Sequence, residues 1–310
     1  MKNIALVGYT GFVGSNICAA AGDAISQVYN SRNIEAAYGT RPELLIYAGL
    51  RAEKYLANHD PRKDLALIRQ AEENIEKIDP QNLVLISTID VLRDPRGADE
   101  SAPIDTEGLH PYGYDRYLLE LWVRDHYPQA LIIRLPGLFG ANIKKNFIYD
   151  YINRIPFMLK AAKLRELSAK EPRLPDFYQD RGDGFYQVKP LAPREKQALK
   201  AMLPALHFSA LNFTDSRSVY QFYPLSRLWA DLNTALEAGI RLLHPATEPV
   251  SAAEVYRYLS GEVFVNELPG TPADYDYRTC HAQVFGGSGG YLMEKSQVLS
   301  AIRDFVASQA

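Results

Sequence analysis

Gly8-Tyr9-Thr10-Gly11-Phe12-Val13-Gly14-Ser15 stands directly after the apolar run Ile4 to Val7 and directly before a helical pattern from Asn16 to Ala21. Glycines at this spacing let the chain turn tightly and bring backbone N–H groups close to a charged ligand, and the N-terminus of the following helix favours a pyrophosphate there. Three glycines alone carry little information. Between a strand and a helix they predict a dinucleotide-binding turn, with Gly8, Thr10, Gly11, Phe12, Val13 and Gly14 as candidate cofactor contacts.

The rest of the first half repeats the strand-then-helix rhythm. Ile4 to Val7, Leu44 to Ala48, Leu83 to Ser87 and Leu131 to Arg134 are continuous apolar runs, the pattern of a parallel sheet covered on both faces. Between them, Leu65, Ile68, Ala71, Ile75 and Ile78 recur at helical spacing, and Asp60-Pro61 is a helix opening. Such a chain makes right-handed crossovers and binds its ligand at the carboxyl ends of the strands. After about Gly140 the regularity fades. Residues 144–225 mix charge, proline and aromatics, with loop-like pieces at 171–175 and 180–184, as expected of an irregular substrate-side region. A helical pattern returns at 225–238, a strand at 240–243, and Ser251 with Glu254 makes a capping box for a helix to about Leu259. The expected division is a dinucleotide-binding domain over 1–143 and a substrate-binding region over 144–310, with part of it, about 225–260, returning to the first domain.

Charge and composition exclude other classes. With 34 basic and 37 acidic side chains among 310 residues, the net charge of −3 argues against a phosphate-tracking nucleic-acid binder or a polybasic membrane anchor. The 47% hydrophobic and 23% charged content is that of a globular chain rather than a disordered or fibrous one. Two cysteines, Cys18 and Cys280, fit a reducing, cytoplasmic setting, and Cys18 reads as a small core residue. The histidines at 59, 110, 126, 207, 244 and 281 include no pair at metal-ligand spacing, so no metal site is expected. Gly286 to Gly290 lacks the following Lys-Ser/Thr of a phosphate loop and reads as a turn.

The end of the second strand bears on which dinucleotide binds. Val28-Tyr29 is followed by Asn30-Ser31-Arg32-Asn33, with no carboxylate before Glu35 to take a ribose hydroxyl. Arg32 offers a fork for an extra phosphate, which favours NADP over NAD.

The G-x-x-G-x-x-G spacing closed by Phe12-Val13-Gly14-Ser15 resembles the extended short-chain dehydrogenase/reductase family, which includes nucleotide-sugar epimerases, dehydratases and reductases. Tyr47-Ala48-Gly49, Ile86-Ser87-Thr88-Ile89-Asp90-Val91, Pro111-Tyr112-Gly113-Tyr114-Asp115-Arg116 and Arg134-Leu135-Pro136-Gly137-Leu138-Phe139-Gly140 match further family segments in order. The resemblance implies a Rossmann-type, doubly wound α/β parallel sheet with a smaller, less regular C-terminal substrate region. It adds Ala48, Gly49, Ser87 and Pro136 to the cofactor candidates. It makes Tyr112 the proton donor or acceptor for a substrate oxygen and Thr88 a hydrogen-bond partner of the same oxygen.

A tyrosine hydroxyl ordinarily titrates near pH ~10, so such a role needs a nearby cation, and a residue four positions later on a helix shares its face. Arg116 holds that position where the family has lysine. Where family dehydratases carry Asp-Glu after the active-site threonine, this chain has Ile89-Asp90, and Gly137 replaces an asparagine. Dehydration is therefore disfavoured, and epimerisation or reduction remains. Cationic residues after the third strand, Arg51 and Lys54, and at Lys144-Lys145-Asn146 suit an anionic substrate such as a nucleotide sugar. Asp90, and Gln221 and Tyr223 from the segment Gln221 to Leu225, complete the substrate candidates. Arg116 and Gly137 also motivate an alternative, a non-catalytic NAD(P)-binding redox sensor or scaffold. Related folds pair through helices, which suggests a homodimer by analogy.

Overall fold

The run Ile4–Val7 forms β1, buried at every residue, and leads through the glycine turn into α1, Phe12–Ala21. There follow β2 (Gln27–Tyr29), β3 (Leu44–Tyr47), α2 (Lys54–His59), α3 (Pro61–Ile78), β4 (Leu83–Thr88), α4 (Pro111–His126), β5 (Leu131–Leu135) and β6 (Gly137–Phe139). This computed structural model describes residues 3–52 and 54–309. It divides into two compact units, one of Met1–Ile143, Val219–Val250 and Asp274–Ile302, the other of Lys144–Ser218, Ser251–Ala273 and Arg303–Ala310.

The second unit holds α5 (Phe147–Asn153), the short strands β7 (Met158–Lys160), β8 (Tyr178–Asp180) and β9 (Phe185–Val188), and helices α6 (Ala161–Ser168) and α7 (Pro193–Leu206). Its strands make an antiparallel sheet in the order β7-β9-β8. The chain then returns to the first unit for β10 (Val219–Tyr220), β11 (Phe222–Pro224), α8 (Leu228–Glu237) and β12 (Leu242–Leu243), and continues through β13 (Val250–Ser251), α9 (Ala252–Ser260) and α10 (Lys295–Ala307).

The expected doubly wound sheet is present. Its six strands run parallel in the order β2-β1-β3-β4-β5-β12. β1 is followed by β2 on one side, and the chain then crosses to β3 on the other, so the order reverses between β1 and β3. A crevice opens at the carboxyl ends of the strands at such a reversal. Every residue of β1, β3 and β5 is buried, which explains why these runs are apolar without alternation. One face packs Ala5, Val7, Leu45, Leu85 and Ile132 against Ile68, Ala71, Ile75 and Ile78 of α3 and Leu119 and Val123 of α4. α3 starts where its sequence predicts, with the Asp60 side chain accepting from the Lys63 N–H and Pro61 in the first turn. It stops at Asp79, in the left-handed conformation.

The second unit has its own core, in which Leu159 and Tyr178 of the sheet meet Leu164 and Leu167 of α6 and Leu199, Met202, Leu203 and Leu206 of α7. The loop expected at 180–184 is the tip joining β8 to β9. α9 is closed by the predicted capping box of Ser251 and Glu254. Among the described residues no helix is long and apolar enough to cross a membrane.

Candidate active site

At the carboxyl end of β1 the chain turns at Gly8, whose φ of +94° suits glycine and whose N–H donates to the Tyr29 carbonyl at 2.7 Å. A Cβ there would lie 2.3 Å from the Ala48 carbonyl oxygen, so the turn touches the end of β3 at the point where the strand order reverses. A Cβ on Gly14 would lie 2.2 Å from the Gly8 oxygen, so α1 presses onto the turn it follows. Gly11 is the N-cap of α1 and provides no side-chain cap. The first-turn N–H groups of Phe12, Val13 and Gly14 have no acceptor within the helix and carry its positive end. Thr10 and Gly11 are exposed beside them.

Asn16, which the sequence reading passed over, ties this helix down. Its Nδ2 donates to the Phe12 and Ala141 carbonyls at 2.8 and 2.9 Å, and its Oδ1 accepts from the Ala141 N–H. Asn30, Ser31 and Arg32 form a turn after β2, in which the Asn30 side chain accepts from the Arg32 N–H at 2.9 Å. The Arg32 side chain stands exposed on that turn. Ala48 and Gly49 end β3, with the Ala48 N–H bonded to the Val7 carbonyl, and Pro136 is half-buried just past β5.

Thr88 ends β4 and Tyr112 stands in the first turn of α4. Thr88 acts on the Tyr112 phenol in the direction that favours the phenolate, and Tyr112 is only 6% exposed. Gly113 allows α4 to come this close, since a Cβ on it would meet the Asp90 carbonyl at 2.1 Å. The Tyr112 N–H donates to the Asn58 side chain of α2. Arg116 lies one turn on, with its guanidinium carbon 4.5 Å from the centre of the Tyr112 ring. That guanidinium is bound to Asp64 of α3 through both carboxylate oxygens, at 2.8 and 3.2 Å, and also to the Arg51 carbonyl.

Burial pushes the Tyr112 phenol above its ordinary value of 10.0. Arg116 opposes the rise and is outweighed, with Asp90 and Asp64 adding to it. Asp115 is buried beside this pair. Burial first, then the Asp64 charge and a hydrogen bond to it, raise its carboxyl to about 6, while Arg116 opposes. Lys54 pairs with Asp90 at 2.9 Å, and His110 caps α4 by accepting from the Gly113 N–H.

Other candidates are committed elsewhere. The Ser87 hydroxyl donates to Glu120 at 2.6 Å. Glu120 also takes the Arg134 guanidinium through both oxygens, and Arg134 donates to His244. Ser87 and Thr88 are neighbours in a strand and so face opposite sides of the sheet. Gln221, 2% exposed, donates to the Thr247 and Tyr277 carbonyls and accepts from the Tyr277 N–H. Tyr223 is fully buried and donates to Asp231 at 2.5 Å. Both side chains are thus spent on holding the first unit together. Gly137 lies where a Cβ would meet the Gln221 carbonyl at 2.9 Å.

Lys145 and Asn146 belong to the second unit. Lys145 is exposed, and Asn146 caps α5 by accepting from the Ile148 and Tyr149 N–H groups. Asp64, Glu120 and His244 gave no motif in the sequence, and Asp115 lay inside one without a role of its own. Each gains its meaning from a partner on another element.

No family model matches the chain, and no curated protein matches it by sequence. Solved structures do. The dTDP-4-dehydrorhamnose reductase of Bacillus anthracis in complex with NADP superposes with a TM-score of 0.63 at 13% identity, over 99% of this chain and 98% of its own. This chain shares its fold. The dTDP-4-dehydrorhamnose reductase of Yersinia enterocolitica gives 0.64 at 12% identity over 100% of both chains. The UDP-N-acetylglucosamine 4-epimerase of Methanobrevibacter ruminantium, in complex with UDP-N-acetylmuramic acid, gives 0.61 at 12% over 100% of this chain and 99% of its own.

Proposed function

We propose that the chain is an NAD(P)-dependent reductase acting on a keto group of a nucleotide sugar. The glycine turn and the uncapped N-terminus of α1 fit a pyrophosphate, and Arg32 on the turn after β2 suits the extra phosphate of NADP. Ala48, Gly49 and Pro136 border the same carboxyl edge of the sheet. The fold is that of a dTDP-4-dehydrorhamnose reductase in complex with NADP and of a UDP-glucuronic acid 4-epimerase in complex with NAD.

Tyr112 in the first turn of α4, with the Arg116 guanidinium against its ring and Thr88 at the end of β4, carries the reading. A phenol that holds its proton can give it to a substrate carbonyl, and Arg32, which suits NADP, favours reduction over epimerisation. Reduced nicotinamide, when bound, supplies the hydride. Tyr112 then protonates the carbonyl oxygen, and Thr88 hydrogen-bonds that same oxygen. Arg116, stacked on the ring, steadies the phenolate left behind. Its guanidinium is occupied by Asp64 and the Arg51 carbonyl, which favours a role at the tyrosine over one at a ribose.

The test is oxidation of NADPH or NADH in the presence of keto nucleotide sugars. Tyr112→Phe should remove turnover and leave cofactor affinity, read by fluorescence titration, nearly intact. Unchanged turnover in that variant, or interconversion of hexose epimers without net cofactor oxidation, would overturn the reading. The sequestered Arg116 also supports a second reading, a binding module for redox sensing or scaffolding. Tight cofactor binding without turnover, and no melting-temperature response to nucleotide sugars, would favour it.

A further inference from the structure

Glu100, Cys280 and His281 are brought together in the first unit, where a carboxylate oxygen, the thiol sulfur and an imidazole nitrogen all lie within 4.8 Å of one another. Glu100 stands 180 positions before Cys280 in the chain. We propose that these three side chains bind a divalent cation of the zinc class and leave a fourth position open to water or an added ligand.

The ligand chemistry selects the cation. Sulfur, nitrogen and oxygen donors in one set suit a borderline ion such as Zn2+, while magnesium and calcium prefer oxygen throughout. Zinc bonds of about 2.0 to 2.3 Å place tetrahedral ligand atoms less than about 4 Å apart. The side chains must therefore close by roughly 1 Å, and they have the room, since Cys280 is exposed and His281 half-buried.

The carboxylate is oriented in advance. The His244 N–H and the Thr279 hydroxyl donate to one Glu100 oxygen at 2.7 and 2.6 Å, and the Cys280 N–H to the other at 2.8 Å. Fixing of a ligand by partners outside the first shell is what metal sites require. Every one of these donors is neutral, and among the described residues no lysine or arginine forms an ion pair with Glu100. The Cys280 thiol lies within 4.8 Å of the same carboxylate, and Asp99 adds a second negative charge nearby. A cation would take the place of the thiol proton between sulfur and oxygen, releasing that proton to solvent. The His281 imidazole has no hydrogen-bond partner among the described residues, so a ring nitrogen lone pair is available.

The experiment uses the full chain, reduced and treated with chelator, titrated with Co2+ as a spectroscopic probe. One equivalent should produce a thiolate-to-cobalt charge-transfer band that Zn2+ abolishes. The band should be lost in Cys280→Ser, and cobalt affinity should fall about tenfold in Thr279→Val, which removes one bond orienting Glu100. Zn2+ should also slow alkylation of Cys280 in the unaltered protein, read on the peptide by mass spectrometry, so the outcome does not hang on how any variant folds. No thiolate band, a band that survives in Cys280→Ser, or an alkylation rate indifferent to zinc would overturn the site. None of these readouts depends on the reaction proposed for Tyr112.

Discussion

Arg116 is held from three sides, by both oxygens of Asp64, by the Arg51 carbonyl and by the face of Tyr112. A planar fork makes all three contacts at once, and an ammonium group cannot. With Arg116 3% exposed, its removal would strand the Asp64 carboxylate without its cation. Arg116→Ala should cost about 3 to 5 kcal/mol in urea denaturation, and Arg116→Lys less, because the charge survives while the bidentate bond does not. The sequence placed Arg116 one helical turn from Tyr112 and could not show its partner, because Asp64 is 52 positions away on another helix. Gln221 teaches the same lesson. By sequence it is a substrate candidate, yet both ends of its amide are spent on buried backbone. Gln221→Ala should destabilise the fold by about 1 to 3 kcal/mol and leave KM alone, checked by melting and steady-state kinetics together.

The glycine turn with α1 was legible because its demands are local. Close approach of backbone to backbone tolerates only glycine, so the requirement is written at the positions themselves. Gly14→Ala would drive a Cβ into the Gly8 carbonyl and should abolish dinucleotide binding along with a measurable loss of stability. α5 shows the opposite case. Asn146 looked like a substrate contact beside a lysine, and in the structure it caps the helix from a φ of +100°. Glycine accepts that φ and is a tolerable cap, whereas alanine offers neither. Asn146→Ala should therefore cost about 1 kcal/mol and Asn146→Gly a few tenths, read from thermal melts. The strands of the second unit are three or four residues long, too short for an alternating pattern to stand out from the surrounding charge.

Each unit carries a carboxyl whose proton the fold retains. Burial raises Asp115 in the first unit to about 6, and Asp150 in the second to about 7. A carboxyl bound more tightly to its proton in the folded state stabilises the fold fully below its ordinary 3.8, and that contribution is lost as pH rises through the folded value. Asp115→Asn should flatten the dependence of melting temperature on pH between about 4 and 6, and Asp150→Asn between about 4 and 7. His244 works the other way. Burial lowers it to about 4, so its contribution is present above 6.5 and lost as pH falls toward 4. The two Asn variants, compared with the parent across that range, separate the opposing slopes.

The sequence by itself determined the sheet, the glycine turn and the spacing of Thr88, Tyr112 and Arg116, because strand burial, backbone approach and helical periodicity act between near neighbours. Only the tertiary structure decided which charges face one another: Asp64 on Arg116, Glu120 on Arg134, and Glu100 beside Cys280 and His281. The free energy of a buried charge depends on what packing brings within a few ångströms of it, and no local pattern records that.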